Sequence, residues 1–416
     1  MNSETPIQIA LIGAGGVGAY HLETIENFEA SGRLQLVAVA DPTVSRFPEV
    51  RDRLAARGVR WYLDYREMLN EEKGLQAVTI ATPIPFHLEM AHACIARGLY
   101  VNLEKPPVPL IGQLESLIAA DAAQRVNVGF QMICSRAVQL LKQSIVSGEL
   151  GEVQEIRAAA AWPRRASYYQ RASWAGKLTL GGLPVFDGPA TNALAHALQN
   201  IMFFASPKAG DFDSPVEIQG ELYRARTIES YDSACMRGTF RSGIKFSAAF
   251  THTTQEMLPY HIEVIGSKGN ARVVNDGNRF ESSTLQENCP EDTKALMRKV
   301  LDEFSLRIHG RKDHFPNSLN DTRGYVVATN GILLSSGGIH CIDPKWMRTY
   351  GDTADQGIEV EGMYAAVKRS LETGELFSEM NLPWTATTYP ISLEDSSRIS
   401  AEAEAMICGA KVPQAA

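Results

Sequence analysis

The sequence predicts an α/β chain in two parts, a parallel sheet with crossover helices followed by an α+β region on an open antiparallel or mixed sheet. Three observations carry this. An apolar run at 7–11 leads into Gly13-Ala14-Gly15-Gly16-Val17-Gly18 and a helix-like stretch. Apolar runs and amphipathic stretches then alternate as far as about residue 130. Beyond it, strand-like runs follow one another with turn signals and no long helices between them.

The opening element outlines a dinucleotide site. G-x-G-x-x-G alone is a weak signal, but here a strand precedes it, a helix follows, and an acidic residue ends the next strand. Gly13 permits the tight turn, Gly15 lets backbone approach a pyrophosphate, and Gly18 allows close packing of helix on strand. Gly16 and Val17 open the helix, whose N-terminal N–H groups face the phosphates. Asp41 closes the run 36–40, where a carboxylate accepts from ribose hydroxyls and repels a 2′-phosphate. NAD is therefore expected over NADP, with Arg46 softening the preference.

Further strands are expected at 76–80, 99–103 and 126–129, with helices at 86–96 and 110–123. Right-handed crossovers bring the strand ends along one crevice. Thr82-Pro83 and Glu104-Lys105-Pro106 fall at those ends. The beat changes near 130, which divides the chain into a cofactor domain at 1–130 and a substrate-binding and oligomerisation domain at 131–416. The second part begins with a helix at 137–147 and a long strand at 153–161. An Arg- and aromatic-rich segment follows at 162–174, then Gly181-Gly182 and an apolar helix through Phe204. Strands are expected at 217–223, 234–240, 245–251 and 261–265. Residues 285–345 look less regular, and Thr329-Asn330-Gly331 and Ser335–His340 read as turns or as a further wall of the site.

Composition narrows the function classes. At 416 residues, 44% apolar and 21% charged, the chain is globular and too long for one ordinary core. A net charge of −8 without a Lys/Arg block argues against nucleic acid and membrane surfaces. Met1–Pro6 carries no basic segment or apolar signal core, and the six cysteines are scattered without C-x-x-C spacing, so a reduced, cytoplasmic enzyme is expected. His309, Asp313 and His314 are crowded by Arg311 and Lys312, and no metal is expected. Serine-hydrolase, zincin and P-loop signatures do not occur.

Four motifs in order carry a resemblance: the glycine motif with His21, Ala81-Thr82-Pro83 with His87, Glu104-Lys105-Pro106, and Gly181-Gly182 with Asp187. With Ile262–Gly269 and a helix at 394–405, the chain resembles the Gfo/Idh/MocA oxidoreductases over most of its length. The resemblance implies an N-terminal Rossmann domain and a second domain whose open, mostly antiparallel sheet gives its outer face to oligomerisation, as a dimer or tetramer. It implies a site between the domains, where a carbinol carbon of a sugar, cyclitol or related polyol exchanges hydride with a nicotinamide cofactor. Thr82, Pro83, His87, Glu104 and Lys105 then belong to the cofactor side.

Lys105 matches the family's catalytic lysine. A lysine held in a crevice has its pKa lowered and moves the hydroxyl proton as hydride passes. Asp187 matches a second family position, able to orient the substrate hydroxyl and tune Lys105; a turn carboxylate or helix N-cap is the competing reading. Many members carry a histidine four residues later, where this chain has Thr191. Asn192 and His196, spaced i and i+4, would share a helix face, so His196 is a candidate base and Asn192 a candidate hydroxyl ligand; a packed core histidine competes. In 162–171, aromatics can cover sugar C–H surfaces while Arg forks hold oxygens, which suits a polyhydroxylated or anionic ligand; a solvated loop competes. Arg164, Tyr169 and Trp174 are the substrate contacts expected there, with Thr191 and Asn192.

The leading reading is an NAD(P)-dependent dehydrogenase of a sugar, cyclitol or sugar derivative. A redox-neutral enzyme that cleaves or epimerises glycosides by transient oxidation is the second. A non-catalytic NAD-binding sensor is the third, permitted by Thr191 and opposed by Lys105.

Overall fold

A computed structural model describes residues 5–409; residues 1–4 of the N-terminal segment read above, and 410–416, lie outside the described residues. The chain forms two compact units, one from residues up to 108 with 113–134 and 292–322, the other from 109–112, 135–291 and 323 onward. Residues 292–322, kept with the C-terminal region in the sequence reading, thus cluster with the first unit.

The first unit is a parallel sheet of β1 (Ile7–Ile12), β2 (Leu34–Ala40), β3 (Arg60–Tyr62), β4 (Ala77–Ile80), β5 (Tyr100–Leu103) and β6 (Val126–Val128). Strand order is β3-β2-β1-β4-β5-β6, so connectivity reverses between β1 and β4. That reversal is where ligands bind in open α/β sheets, outside the carboxyl ends of the strands. The central strands are apolar on both faces, as a sheet covered on both sides requires: Ile9, Leu11, Val78, Ile80, Val101 and Leu103 are fully buried. Crossovers run through α1 (Val17–Glu29), α2 (Pro48–Ala55), α3 (Tyr65–Glu71), α4 (His87–Ala96) and α5 (Ile111–Ala120). The three-residue β3 is too short to leave a periodic signal in sequence.

A later helix, α9 (Thr293–Ile308), returns to this unit. Asp292 caps it by accepting from Ala295 N–H at 2.6 Å. Leu301 and Phe304 join Leu22, Ile25 and Phe28 of α1 in one core. Leu296, Met297, Val300, Leu301 and Phe304 do repeat at helical spacing, but four charged residues among them hide the pattern.

The second unit opens with α6 (Arg136–Val146), capped by Ser135, and β7 (Val153–Ala161). Next come α7 (Ala166–Gln170), the hairpin β8 (Thr179–Leu180) and β9 (Leu183–Pro184), and α8 (Ala195–Ala205). The strands β10 (Pro215–Arg224), β11 (Ser233–Phe240), β12 (Lys245–Thr251), β13 (Leu258–Gly266), β14 (Asn270–Val274), β15 (Arg279–Ser282) and β16 (Gln286–Asn288) follow. After them stand α10 (Arg323–Ser336), β17 (His340–Cys341), the hairpin β18 (Met347–Tyr350) and β19 (Gly357–Val360), α11 (Met363–Thr373), β20 (Ile391–Ser392) and α12 (Ser396–Gly409). The sheet order is β16-β15-β14-β13-β7-β12-β11-β10-β17, with β20 on β10. It is mostly antiparallel; β7–β12 and β10–β17 are parallel.

The turn expected at 329–331 is overturned. Thr329, Asn330 and Gly331 lie inside α10, where Asn330 accepts from Ile111 N–H at 2.9 Å and donates to Pro109 O at 2.7 Å. Gly220 of β10 admits this helix, since a Cβ there would lie 2.7 Å from Ile332. Ser335 and Ser336 accept from Gly220 and Leu222 N–H, each at 2.9 Å. On the opposite face α11 packs over β7 and β12, and Ala159, Cys235 and Ala249 form a closed core with Met363, Val367, Phe377 and Trp384. Along this stretch the chain covers a sheet face itself, on a fold whose resemblance assigns the outer face to other subunits.

Candidate active site

In the first unit the site begins at the carboxyl ends of β1, β4 and β5. A Cβ on Gly18 would stand 2.1 Å from Gly13 O, and one on Gly13 2.6 Å from Ala81 O, so both glycines are demanded by contact within the loop. At Gly15 a Cβ would meet the Phe47 ring at 3.1 Å, so this position too favours glycine. Gly16 adopts φ 56° and, having no side chain, opens α1 with no side-chain cap, so Val17 begins a helix whose first N–H groups the cap residue does not satisfy. Such an end suits a pyrophosphate.

Asp41 is buried and braces this loop. Its Oδ2 accepts from Ala14 N–H at 2.8 Å, and its Oδ1 from the N–H and hydroxyl of Thr43 at 2.8 and 2.6 Å. A carboxylate oxygen has two lone-pair directions, so Oδ2 retains one, which suits a ribose hydroxyl and opposes a phosphate. Arg46 is exposed in the turn beyond. The residues present therefore fit an adenosine diphosphate moiety with a free 2′-hydroxyl.

Lys105 follows β5, half-buried among buried neighbours. Two clamps hold its backbone. Buried Glu104 pairs through Oε1 with His21 Nε2 of α1 at 2.7 Å, and its Oε2 accepts from Lys105 N–H at 3.1 Å. His87, fully buried at the start of α4, sets Nδ1 2.9 Å from Pro106 O and Nε2 2.9 Å from Thr82 O. Burial lowers the His87 pKa, against the pull of these carbonyls. The imidazole stands between the Thr82-Pro83 loop and the Lys105-Pro106-Pro107 loop and, when neutral, donates to one of the two carbonyls; the Lys105–Pro106 peptide is cis. Within this unit the structure brings together His21, Thr82, Pro83, His87, Glu104 and Lys105.

The second unit holds a polar cluster where β7 and β12 end. Asp187 is buried; its Oδ2 accepts from Gly176 N–H at 2.7 Å and its Oδ1 from Asn192 Nδ2 at 2.8 Å. Phe186 before it adopts φ 52°, an unusual state for a bulky residue that fixes the direction in which Asp187 leaves the chain. The following segment is a π-helical turn, Pro189–Ala193, closed by Leu194 N–H to Pro189 O at 2.7 Å. Asn192 and His196 therefore do not share a single α-helical face as their spacing suggested. The wide turn directs Asn192 to Asp187, and His196 stands half-buried on the first turn of α8. The Thr191 hydroxyl donates to Phe186 O at 2.5 Å and accepts from Tyr231 O–H at 3.0 Å, so it anchors the turn.

Arg164 and Tyr169 fall in the same cluster. The Tyr169 hydroxyl lies 3.1 Å from Nδ1 of His252, and Arg164 lies over the Tyr168 ring at 4.8 Å. Arg171 joins Tyr168 at 3.6 Å to Trp174 at 4.9 Å. Burial raises the Tyr168 and Tyr169 hydroxyl pKa values, and nearby carboxylates add to it, Asp187 at Tyr168 and chiefly Asp232 at Tyr169. Sequence reasoning missed Arg171, Arg226, Tyr168 and His252. The signal for His252 was a histidine directly after the apolar strand that ends at Thr251. Among the described residues no group of His, Cys, Asp and Glu is arranged to hold a metal, and no helix is long and apolar enough to cross a membrane.

Two family models match this chain: the NAD-binding Rossmann fold of the GFO/IDH/MocA oxidoreductase family over residues 7–131, and the GFO/IDH/MocA C-terminal domain over 138–272. An inositol 2-dehydrogenase of Streptomyces avermitilis is 34% identical over 148 residues, which cover 34% of this chain and 41% of that protein. The scyllo-inositol 2-dehydrogenase (NAD(+)) of Bacillus subtilis is 29% identical over 153 residues, covering 36% and 43%. The chain thus spans less than half the length of these relatives. The WlbA dehydrogenase of Chromobacterium violaceum, solved with NADH and UDP-GlcNAcA, shares the fold with a TM-score of 0.68 at 21% identity, over 80% of this chain and 95% of that one. The glycine loop, the Asp41 brace and the clamped Glu104-Lys105-Pro106 turn all lie within the first matched region, and Asp187 and His252 within the second: the chain belongs to the GFO/IDH/MocA oxidoreductase family and carries its NAD-binding Rossmann fold.

Proposed function

We propose that this chain is an NAD-dependent dehydrogenase acting on a carbinol carbon of a cyclitol, sugar or sugar derivative. The observation that carries the reading is the doubly clamped Lys105, which stands after β5 on the same sheet edge as the glycine loop. The relatives named as inositol 2-dehydrogenases support the polyol class, and the neighbour solved with a nucleotide-linked sugar supports the wider one.

When bound, NAD supplies the hydride acceptor at a carbon next to the reacting alcohol. Lys105 Nζ takes the hydroxyl proton in oxidation and returns it in reduction. The Glu104–His21 pair and the His87 clamp fix the backbone from which that side chain extends. Asp187, oriented by Asn192 and Gly176, holds a substrate hydroxyl; Tyr169, Trp174 and Arg164 cover the polyol's faces and oxygens. Asp41 selects NAD over NADP.

The test is NADH formation by the purified protein with NAD and a panel of inositols, neutral sugars and sugar acids. At least one of them is expected to give stoichiometric NADH. Cleavage of glycosides with no net NADH would replace this reading by the redox-neutral one.

A further inference from the structure

Beyond the hydroxyl chemistry, the second unit contains a concentration of positive charge of which the dehydrogenase reading uses only Arg164. Arg164, Arg171 and Arg226 surround Tyr168, Tyr169 and His252. Arg164 stacks on Trp162 and Tyr168, Arg171 on Tyr168 and Trp174, and Arg226 lies 5.2 Å from the Tyr169 ring centre. Arg226 also donates to Arg164 O, which ties two of the three together.

Arg226 feels the charges of Asp232 and Asp355, but none of the three guanidiniums closes an ion pair among the described residues. Among the described residues no carboxylate pairs with Arg164, Arg171 or Arg226 at 4.0 Å or less. The nearby buried acids accept from other donors: Asp187 from Gly176 N–H and Asn192 Nδ2, and Asp232 from the N–H groups of Ala225 and Arg226 at 3.0 Å. Guanidiniums that keep their charge while stacked on aromatic faces retain their N–H edges for an outside acceptor.

A second observation is independent of the arginines. His252 is 2% exposed; its Nδ1 meets Tyr169, and its buried Nε2 has no protein partner. Burial and the three guanidiniums hold its pKa well below the usual histidine range, so the ring stays neutral. With Tyr169 O–H donating to Nδ1, Nε2–H is a buried donor, and buried donors are costly unless met.

We propose that Arg164, Arg171, Arg226 and His252 form an oxyanion subsite, so that the substrate is an anionic sugar derivative carrying a carboxylate or a phosphate. The inference rests on the polyol reading of this same unit and narrows it. Forked N–H donors match both oxyanions in a two-point geometry that a neutral hydroxyl cannot fill.

The test is calorimetric binding to the NAD-saturated full-length protein, read without turnover, so that failure of hydride transfer and failure of this subsite are separate results. The probes are D-glucose, D-glucuronate and D-glucose 6-phosphate. One of the two anions is expected to bind at least tenfold more tightly than glucose, and the preferred one identifies the oxyanion. Raising salt is expected to shrink that ratio. Arg171→Gln, at an exposed position compatible with folding, is expected to bring the ratio close to one, and Arg171→Lys to restore it in part. Equal binding of glucose and both anions by the wild-type protein, or an anion preference that survives both Arg171→Gln and Arg164→Gln, would overturn the proposal.

Discussion

Lys105 combines a long, flexible side chain with a backbone flanked on two sides, by the buried Glu104–His21 pair and by His87, packed between Thr82 O and Pro106 O. Fixing the root of such a chain reduces the freedom lost when its amine meets a substrate. Sequence made the residue types legible, because Glu104-Lys105-Pro106 follows a strand; it did not reveal the clamps, whose partners lie 19 and 83 residues away. Asp187 and Thr191 show the same limit. Their hydrogen bonds run to Gly176, Asn192, Phe186 and Tyr231, and the π-helical turn that arranges them defeats a reading based on 3.6-residue spacing. Asp232 gives a residue-scale prediction. Burial pushes its carboxyl up to about 6, against the backbone N–H groups and arginines that favour the charged form. The folded state then holds a proton that the unfolded chain releases near pH 4. The stability tied to this group is full below about pH 4 and lost as pH rises through about 6. In urea titrations across that window, the wild-type midpoint should fall relative to Asp232→Asn; parallel curves would contradict the assignment.

At the scale of elements, the apolar strands and helices were legible wherever a period ran long enough. β1, β2, β4, β5, β7 and β12 stand within two residues of their expected limits. The expectation of irregular chain at 285–345 failed for physical reasons: the apolar seam of α9 is interrupted by charge, and α10 carries Gly324, Gly331 and three Ser/Thr residues that imitate turn chemistry. In α10 those small residues let the helix approach β10, so what looked like turn composition is packing composition. The end of α8 shows another device invisible in sequence. Buried Lys142 of α6 donates to Phe203 O at 2.5 Å, Ser206 O at 2.6 Å and Asp211 O at 3.2 Å, supplying donors to carbonyls the helix leaves behind. Lys142→Met is expected to cost about 2–4 kcal/mol, since it orphans the buried Phe203 and Ser206 carbonyls and removes a part-buried bond to Asp211 O. Chemical denaturation measures this, and a loss below about 1 kcal/mol would show the carbonyls satisfied in another way.

At the scale of the whole molecule, the two-part architecture followed from the change of rhythm near residue 130, but the units are not contiguous in sequence, since α9 joins the first unit late in the chain. Nor did sequence show that α11 and Trp384 cover one face of the second unit's sheet, because a helix records what it can bury and not which sheet it buries. The proposed chemistry is a hydride exchanged with NAD while Lys105 moves the hydroxyl proton. The most direct test uses a substrate deuterated at the reacting carbinol carbon, with label in the reduced nicotinamide followed by mass spectrometry. The wild-type protein should transfer deuterium to the cofactor. Lys105→Ala should transfer it about 10²–10⁴-fold more slowly while binding NAD as before. Unlabelled NADH from a deuterated substrate, or wild-type transfer rates in Lys105→Ala, would contradict the account.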